Sequence, residues 1–469
     1  MTQAIPQSDH NAQAAFGRGW ASPARWFLVI AWTFGSLFAL VTPPFQVPDE
    51  YHHSFRSYQV SEGHFAKTRR GDDVGGYLPR SLLELQTEVS QEIPFHPEVK
   101  QDLKTLWRMR TLPLNLDDRE FVVFPWYCPT NYLPQAAAMA IARNLAATPL
   151  VLIYAGRLGN LLAWSLLIYL ALRLIPIFRW TLFLLALMPM SLYLAASLSA
   201  DATVNGVCFL FVATVLRIAI GDDRPIGGRR MAALILLGMA IALAKTAYLP
   251  FSLLFLLIPA RKFGGRRRYW VAFGFFIAMS LATNVAWTLY TYKDFVNAGN
   301  SPHLQAVFIL HHPFSTARDY VGQLFSIAFL SSIVGKLGWY DTRLPRPLVA
   351  CYVAMLVWTA RFTGGLKSDA PRPLLTNSQR GIIAFTIFAS WLAVFGLMDL
   401  AFTRIGARGV TSLQGRYLIP LTPLLFLLLY PSKPTTTGKF RRNGFIAVGF
   451  SACFCVYILA ILIQRFYIS

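Results

Sequence analysis

The sequence predicts an all-α polytopic membrane protein of about eleven transmembrane helices, resting on hydropathy, run length and the placement of basic residues. The 469 residues are 55% hydrophobic and only 14% charged, with a mean hydropathy of +0.46. Apolar runs of about 15–22 residues recur along the chain, close to the length that crosses a hydrocarbon core of about 30 Å. Inside lipid every backbone polar group needs an internal partner, so such runs form helices or barrel strands. They do not alternate with period 2, which selects helices.

The net charge of +21 would suit a nucleic-acid surface if it lay on one soluble face. Here the basic residues knot beside the apolar runs, at Arg229–Arg230, Arg261–Lys262, Arg266–Arg268 and Lys439–Arg442. That is the positive-inside pattern of a membrane topology signal, and it points to the lipid bilayer rather than to nucleic acid. The five cysteines (Cys128, Cys208, Cys351, Cys453 and Cys455) are odd in number and scattered, with neither a disulfide framework nor zinc spacing.

In chain order, residues 1–22 read as a disordered cytoplasmic tail. Residues 23–42 hold the first transmembrane helix, an apolar run at Trp26–Val41 preceded by Arg18 and Arg25. No A-x-A cleavage site follows it; Pro43–Pro44 does, so the helix reads as uncleaved with its N-terminus inside. Residues 43–149 form a large extracytoplasmic loop with short amphipathic helices expected at Glu98–Arg110 and Tyr132–Ala147. Residues 150–469 form the multi-span domain, with spans expected near 150–172, 180–198, 203–220, 231–245, 247–260, 269–290, 347–361, 381–399, 417–430 and 444–464.

Two stretches depart from a simple span. The pair around Lys245–Pro250 reads also as a broken or re-entrant element. Val321–Leu337, taken as a span, would turn the basic loops at 361–380 and 431–443 outward. A re-entrant or interfacial helix there keeps them inside, giving N-terminus in and C-terminus out. No internal repeat is visible, unlike the paired halves of many secondary transporters.

Candidate chemistry begins just after the first span, at Asp49, Glu50 and His53. Acids after a proline are also how helices start, since they complement the positive end of the dipole. On a helix Asp49 and Glu50 both share a face with His53, so the three residues suit a general base or a divalent-ion site as well. Asp201 sits in a short turn and reads equally as a helix cap. Lys245 ends an apolar helix and Arg416 starts a span beside Tyr417. Each reads as an interfacial anchor or as part of a site for an anionic lipid headgroup. Aromatic residues at Trp126–Tyr127, Trp339–Tyr340 and Tyr417 suit an interfacial belt or a platform for sugar rings. No Walker loop, Rossmann fingerprint, serine-hydrolase elbow or HExxH helix is present.

Six stretches then carry a resemblance. They are PPFQVPDEYHHSFRSYQVSEGH from residue 43, YAGRLGNLLAW at 154–164, SLSADA at 197–202, KTAYLP at 245–250, GWYDTRLP at 338–345 and QGRYLIPLTPLL at 414–425. In this order they resemble the bacterial membrane proteins of domain-of-unknown-function family 2142, which in turn looks like part of the GT-C glycosyltransferase superfamily. Where that family has a proline and a small residue after its acidic pair, this chain has Tyr51 and His52. It keeps the later histidine as His53 and the Arg-x-Tyr-Gln run as Arg56, Tyr58 and Gln59.

The resemblance implies an enzyme of the bacterial cytoplasmic (inner) membrane with an outward-facing site. It would move a sugar from a polyprenyl-phosphate donor to an envelope glycan or lipid acceptor. Asp49, Glu50 and His53 are then the catalytic candidates, with either acid as the base. Arg56, Asp201, Lys245, Asp341, Arg416 and Tyr417 are the substrate-binding candidates. Some GT-C enzymes use a divalent cation such as Mg or Mn and others do not; Asp49, Glu50 and His53 are the residues that would hold one. A transporter or flippase for lipid-linked sugars, and a non-catalytic polysaccharide-assembly protein, are the alternatives from other classes.

Overall fold

The computed structural model describes residues 22–66, 68–125, 127–221, 223–296, 301–362, 375–431 and 440–468. The tail at 1–21, Trp126 and most of the two basic loops at 361–380 and 431–443 lie outside the described residues.

The protein is mostly helical. Among the described residues six helices are long and apolar enough to cross a membrane: Pro23–Val41, Pro149–Leu174, Asp201–Gly221, Arg266–Thr291, Asn377–Phe402 and Gly444–Tyr467. The chain is therefore a multi-pass membrane protein. Pro149 takes the first helical position, where its missing N–H has no partner to lose. The first helix packs on Pro149–Leu174 and on the C-terminal helix. Phe27 and Trp164 meet there with ring centroids 5.3 Å apart. At Gly35 a Cβ would lie 2.7 Å from a Leu161 methyl, so a larger residue there would have to displace that buried side chain.

The other runs expected as spans are shorter or broken, and proline accounts for most of the breaks. The run at 180–198 divides into Arg179–Ala186 and Pro189–Ala195, both enclosed by neighbouring helices. Pro250 lies inside Thr246–Leu257, which winds as a tight 3-10 helix. Pro420 does the same at Gly415–Leu421 before an α-helical turn resumes at Thr422–Leu428. Proline removes an i→i−4 bond and crowds the preceding turn, and at both positions the chain winds as 3-10 rather than α-helix. Asn284 Nδ2 donates to the Ala242 carbonyl and to Thr246 Oγ1 at 2.8 and 3.0 Å, partnering polar groups where the first of these elements begins. Gly228–Ala244 and Arg346–Phe362 are continuous but only 17 residues each.

Val321–Leu337 is not a continuous helix. It is shared between Pro313–Leu324, the eight-residue helix Ile327–Val334 and the short strand Lys336–Leu337, which pairs with Thr342–Arg343. Eight helical residues rise about 12 Å, far short of a bilayer core.

The segment between the first two spans holds more structure than short amphipathic helices. Helix Glu50–Ser61 is followed by a three-stranded antiparallel sheet of Thr68–Arg70, Asp73–Pro79 and Arg119–Val123, with Asp73–Pro79 in the middle. Helices Arg80–Ser90, Leu103–Met109 and Leu133–Asn144 complete it. The helix expected at Glu98–Arg110 is confined to Leu103–Met109. Asp102 starts it there, its carboxylate accepting from the Lys104 and Thr105 N–H groups, a cap that nothing at residue 98 supplies.

The C-terminal helix ends against this segment. Arg465 donates to the Ile93 and Val99 carbonyls at 2.9 and 3.1 Å, and the Gln101 N–H donates to the Phe466 carbonyl at 2.7 Å.

Candidate functional site

The site is built at the end of the bundle where the first helix stops and Pro149–Leu174 begins. After Val41 the chain turns through Pro43–Pro48, and Asp49 takes a left-handed backbone conformation with φ of 63° as the cap of Glu50–Ser61. Such a φ is uncommon outside glycine, though aspartate tolerates it better than most residues. It aims Asp49 and Glu50 in different directions, and their fates separate completely.

Glu50 is fully enclosed and binds Arg157, itself fully buried. Arg157 Nε and Nη2 meet the two carboxylate oxygens at 2.8 and 2.6 Å. Its remaining donors go to the carbonyls of Ala39, Thr42 and Pro43 at 2.6–2.9 Å, where the first helix runs out of N–H partners. The Leu198 N–H donates to Glu50 Oε1 at 3.1 Å. One turn along, Asn160 donates to the Ser197 and Ser199 carbonyls at 2.7 and 3.1 Å. Arg157 and Asn160 thus fix both the turn that carries Asp49 and the turn that carries Asp201. Arg157 was not among the expected site residues, yet an arginine in the middle of an apolar run was the signal for it.

Asp49, Arg416, Asp201 and Lys245 form one chain of alternating charge. The Arg416 guanidinium donates to Asp49 Oδ2 and, at 3.2 Å, to the Pro48 carbonyl. Its Nε lies 3.4 Å from Asp201 Oδ2, and Lys245 Nζ donates to Asp201 Oδ1 at 2.6 Å. The two inner members are buried, with Arg416 2% and Asp201 9% exposed. The two ends stay open, with Asp49 36% and Lys245 34% exposed. Tyr417 closes one side: its ring centroid is 4.3 Å from Lys245 Nζ, and its carbonyl accepts from the Tyr248 hydroxyl at 2.8 Å. Burial, the largest single influence, would raise the Asp49 carboxyl, but the Arg416 charge and hydrogen bond together with His53 outweigh it and hold the group below its ordinary 3.8.

His53 lies under this chain. Its Nδ1 is 2.7 Å from the Tyr132 hydroxyl and its ring packs on Tyr127. Burial outweighs the pull of Asp49 and holds the imidazole down at about 4, so it is neutral at physiological pH. His52 packs on the Tyr51 ring instead, centroids 3.9 Å apart. Tyr51 stacks in turn on Trp339, whose Nε1 donates to the Phe45 carbonyl at 2.8 Å.

Two expected site residues lie elsewhere. Arg56 is fully buried and directed at Gln59 Oε1 (2.5 Å) and at the carbonyls of Tyr127, His64 and Phe65, all at 3.2 Å, so it ties the segment together. Asp341 binds Arg465 of the C-terminal helix at 2.7 Å, both buried. A divalent ion on Asp49, Glu50 and His53 does not fit this arrangement. Both Glu50 oxygens are committed to Arg157 and His53 Nδ1 to Tyr132, and among the described residues no three His, Cys, Asp or Glu side chains gather as a metal site.

The arrangement therefore offers an open carboxylate, an open ammonium and a buried guanidinium between them, a combination suited to accepting a proton beside a bound anion. No curated protein matches the chain. The model of the family described as predicted membrane protein (DUF2142) matches residues 32–425, and the chain belongs to that family.

Proposed function

We propose that this protein is a membrane glycosyltransferase that moves a sugar from a polyprenyl-phosphate donor to an envelope glycan or lipid acceptor. The observation that carries the reading is the pairing of Asp49 and Lys245 at the open ends of one charge chain, with Arg416 between them.

In this reading Asp49 is the base and Glu50 is not, because Glu50 is enclosed and committed to Arg157. The acceptor oxygen attacks the anomeric carbon, the bond from that carbon to the phosphate oxygen breaks, and its electron pair leaves with the phosphate. The acceptor proton passes to Asp49. Lys245 and Arg416 stabilise the departing anion, the kind of preorganised electrostatic contribution that is often the largest in catalysis. A phosphate at Arg416 also competes with Asp49 for the guanidinium. Loosening that pair raises the basicity of Asp49 when the donor is in place.

The placement of the charges supports an outward-facing site in the inner membrane. Arg229, Arg230, Arg261, Lys262 and Arg266–Arg268 sit at the opposite end of the helices from Lys245 and Asp49. By the positive-inside rule that opposite end is cytoplasmic.

The test uses the purified full chain in liposomes with radiolabelled polyprenyl-phosphate sugars and candidate glycan or lipid acceptors. Label is expected to move to an acceptor with wild type. Carrier crossing the bilayer with no sugar transfer would replace the enzyme by a flippase.

A further inference from the structure

Beyond the charge chain, the segment between the first two spans holds a cavity of about 340 Å³ lined by Gln59, His64, Thr68, Tyr77 and Arg119. That volume is in the range of small-ligand sites. We propose that it is a saccharide subsite that grips a neutral stretch of the acceptor glycan away from the reacting end. This rests on the glycosyltransferase reading for its role, though not for its ligand chemistry.

Three features of the cavity select a neutral saccharide. Tyr77 lies on the central strand and is 50% exposed, its ring held edge-on by Phe121 with centroids 5.3 Å apart. A half-exposed, braced aromatic face suits the apolar C–H face of a sugar ring. The other lining residues are polar: Thr68 and His64 can donate and accept, and Gln59 and Arg119 add polar groups already fixed by protein partners. Among the described residues that line the cavity the one fixed cation is Arg119, and its charge is already met by Glu62, bidentate at 2.9 and 2.5 Å, which disfavours an acidic group there.

The walls are set before any ligand arrives. Arg119 also donates to the Tyr77 carbonyl at 2.8 Å. Gln59 accepts from Arg56 at 2.5 Å and donates to the Gly75 carbonyl at 3.4 Å. Gly76 makes room for it, since a Cβ there would lie 2.6 Å from Gln59 Nε2. Preorganised polar groups lose little freedom on binding.

The cavity also stands in a fixed relation to the base. Gln59 lies on the helix that Asp49 caps, and the rise from Glu50 to Gln59 is about 14 Å at 1.5 Å per residue. An extended acceptor several units long spans that distance with its reactive hydroxyl at Asp49 and its other end on Tyr77.

The experiment measures binding of fluorescently tagged neutral and acidic oligosaccharides to the full chain in detergent, in an Asp49→Asn background so that no turnover intervenes. A neutral oligosaccharide is expected to bind. Tyr77→Ala is expected to weaken it by about tenfold or more, as for an aromatic anchor, and Tyr77→Phe to leave it nearly unchanged. In the active protein Tyr77→Ala is expected to raise the acceptor KM and spare kcat. Binding indifferent to Tyr77→Ala and His64→Ala, binding of acidic sugars alone, or no binding by any of the panel overturns the subsite. Tyr77-dependent binding without any transfer keeps the subsite and removes the glycosyltransferase reading. Transfer that needs Asp49 but ignores Tyr77 does the reverse.

Discussion

Glu50 and Arg157 form a fully buried bidentate pair in which both carboxylate oxygens and every guanidinium N–H group have partners. Because the pair also holds the carbonyls at the end of the first helix, it sets where Asp49 sits. Removing one member leaves a buried charge alone, which costs about 3–5 kcal/mol. Glu50→Gln and Arg157→Leu are therefore expected to lower the melting temperature in detergent sharply. Asp49→Asn, one residue away at an open site whose partner Arg416 keeps Asp201, is expected to lower it far less. Equal melting of all three proteins would contradict the division of labour between the two acids.

That division was not legible in the sequence. Two adjacent acids after Pro48 look alike in one dimension, and only the left-handed turn at Asp49 shows which of them faces inward. The helical membrane fold was legible, because run length and charge placement are sequence properties. The broken spans were harder, since Pro189, Pro250 and Pro420 each allow either a kinked or an interrupted helix until packing decides. The sheet was missed because its strands are short and carry Arg69–Arg70 and Gly75–Gly76 in place of an alternating apolar pattern. Asp201, Lys245, Arg416 and Tyr417 were recognised as candidates by type and by helix end, and the structure brings them together with Asp49. Arg56 and Asp341 carried the same kind of signal but meet local carbonyls and Arg465 instead.

Arg416 reaches Asp49, the Pro48 carbonyl and Asp201 at once through separate nitrogens. A lysine ammonium cannot span these three with one fixed plane. Arg416→Lys is expected to lower kcat by about 10²–10³, the size of losing a preorganised anion-stabilising group, while the protein still folds. A steady-state transfer assay checks it.

Gly415 places that arginine. A Cβ there would lie 2.3 Å from Ser332 Oγ and 2.5 Å from the Ile333 backbone nitrogen, so helix Ile327–Val334 would have to move. Gly415→Ala is expected to cost about 1–3 kcal/mol through overpacking and to reduce transfer by shifting Arg416. A thermal melt and a transfer assay on the same preparation read both effects.

The pH dependence of stability follows from His53. Its folded-state value of about 4 lies below the ordinary 6.5, so between these values the unfolded chain takes up a proton that the folded protein refuses. Stability is then complete above about pH 6.5 and falls as pH drops towards 4. His52, lowered by burial, adds the same sign, and Asp49, also lowered, adds a loss at still lower pH. Melting temperatures between pH 7 and 4.5 are expected to fall for wild type and to fall less steeply for His53→Gln. Parallel curves would contradict the assignment.

Sugar transfer by Asp49→Asn, set against wild type in the same liposomes with the same polyprenyl-phosphate donor, tests the central claim most directly. The account predicts a loss of at least about a hundredfold in kcat, in line with removal of a general base, with donor binding retained and the melting temperature only slightly lowered. Transfer at the wild-type rate by Asp49→Asn would contradict it.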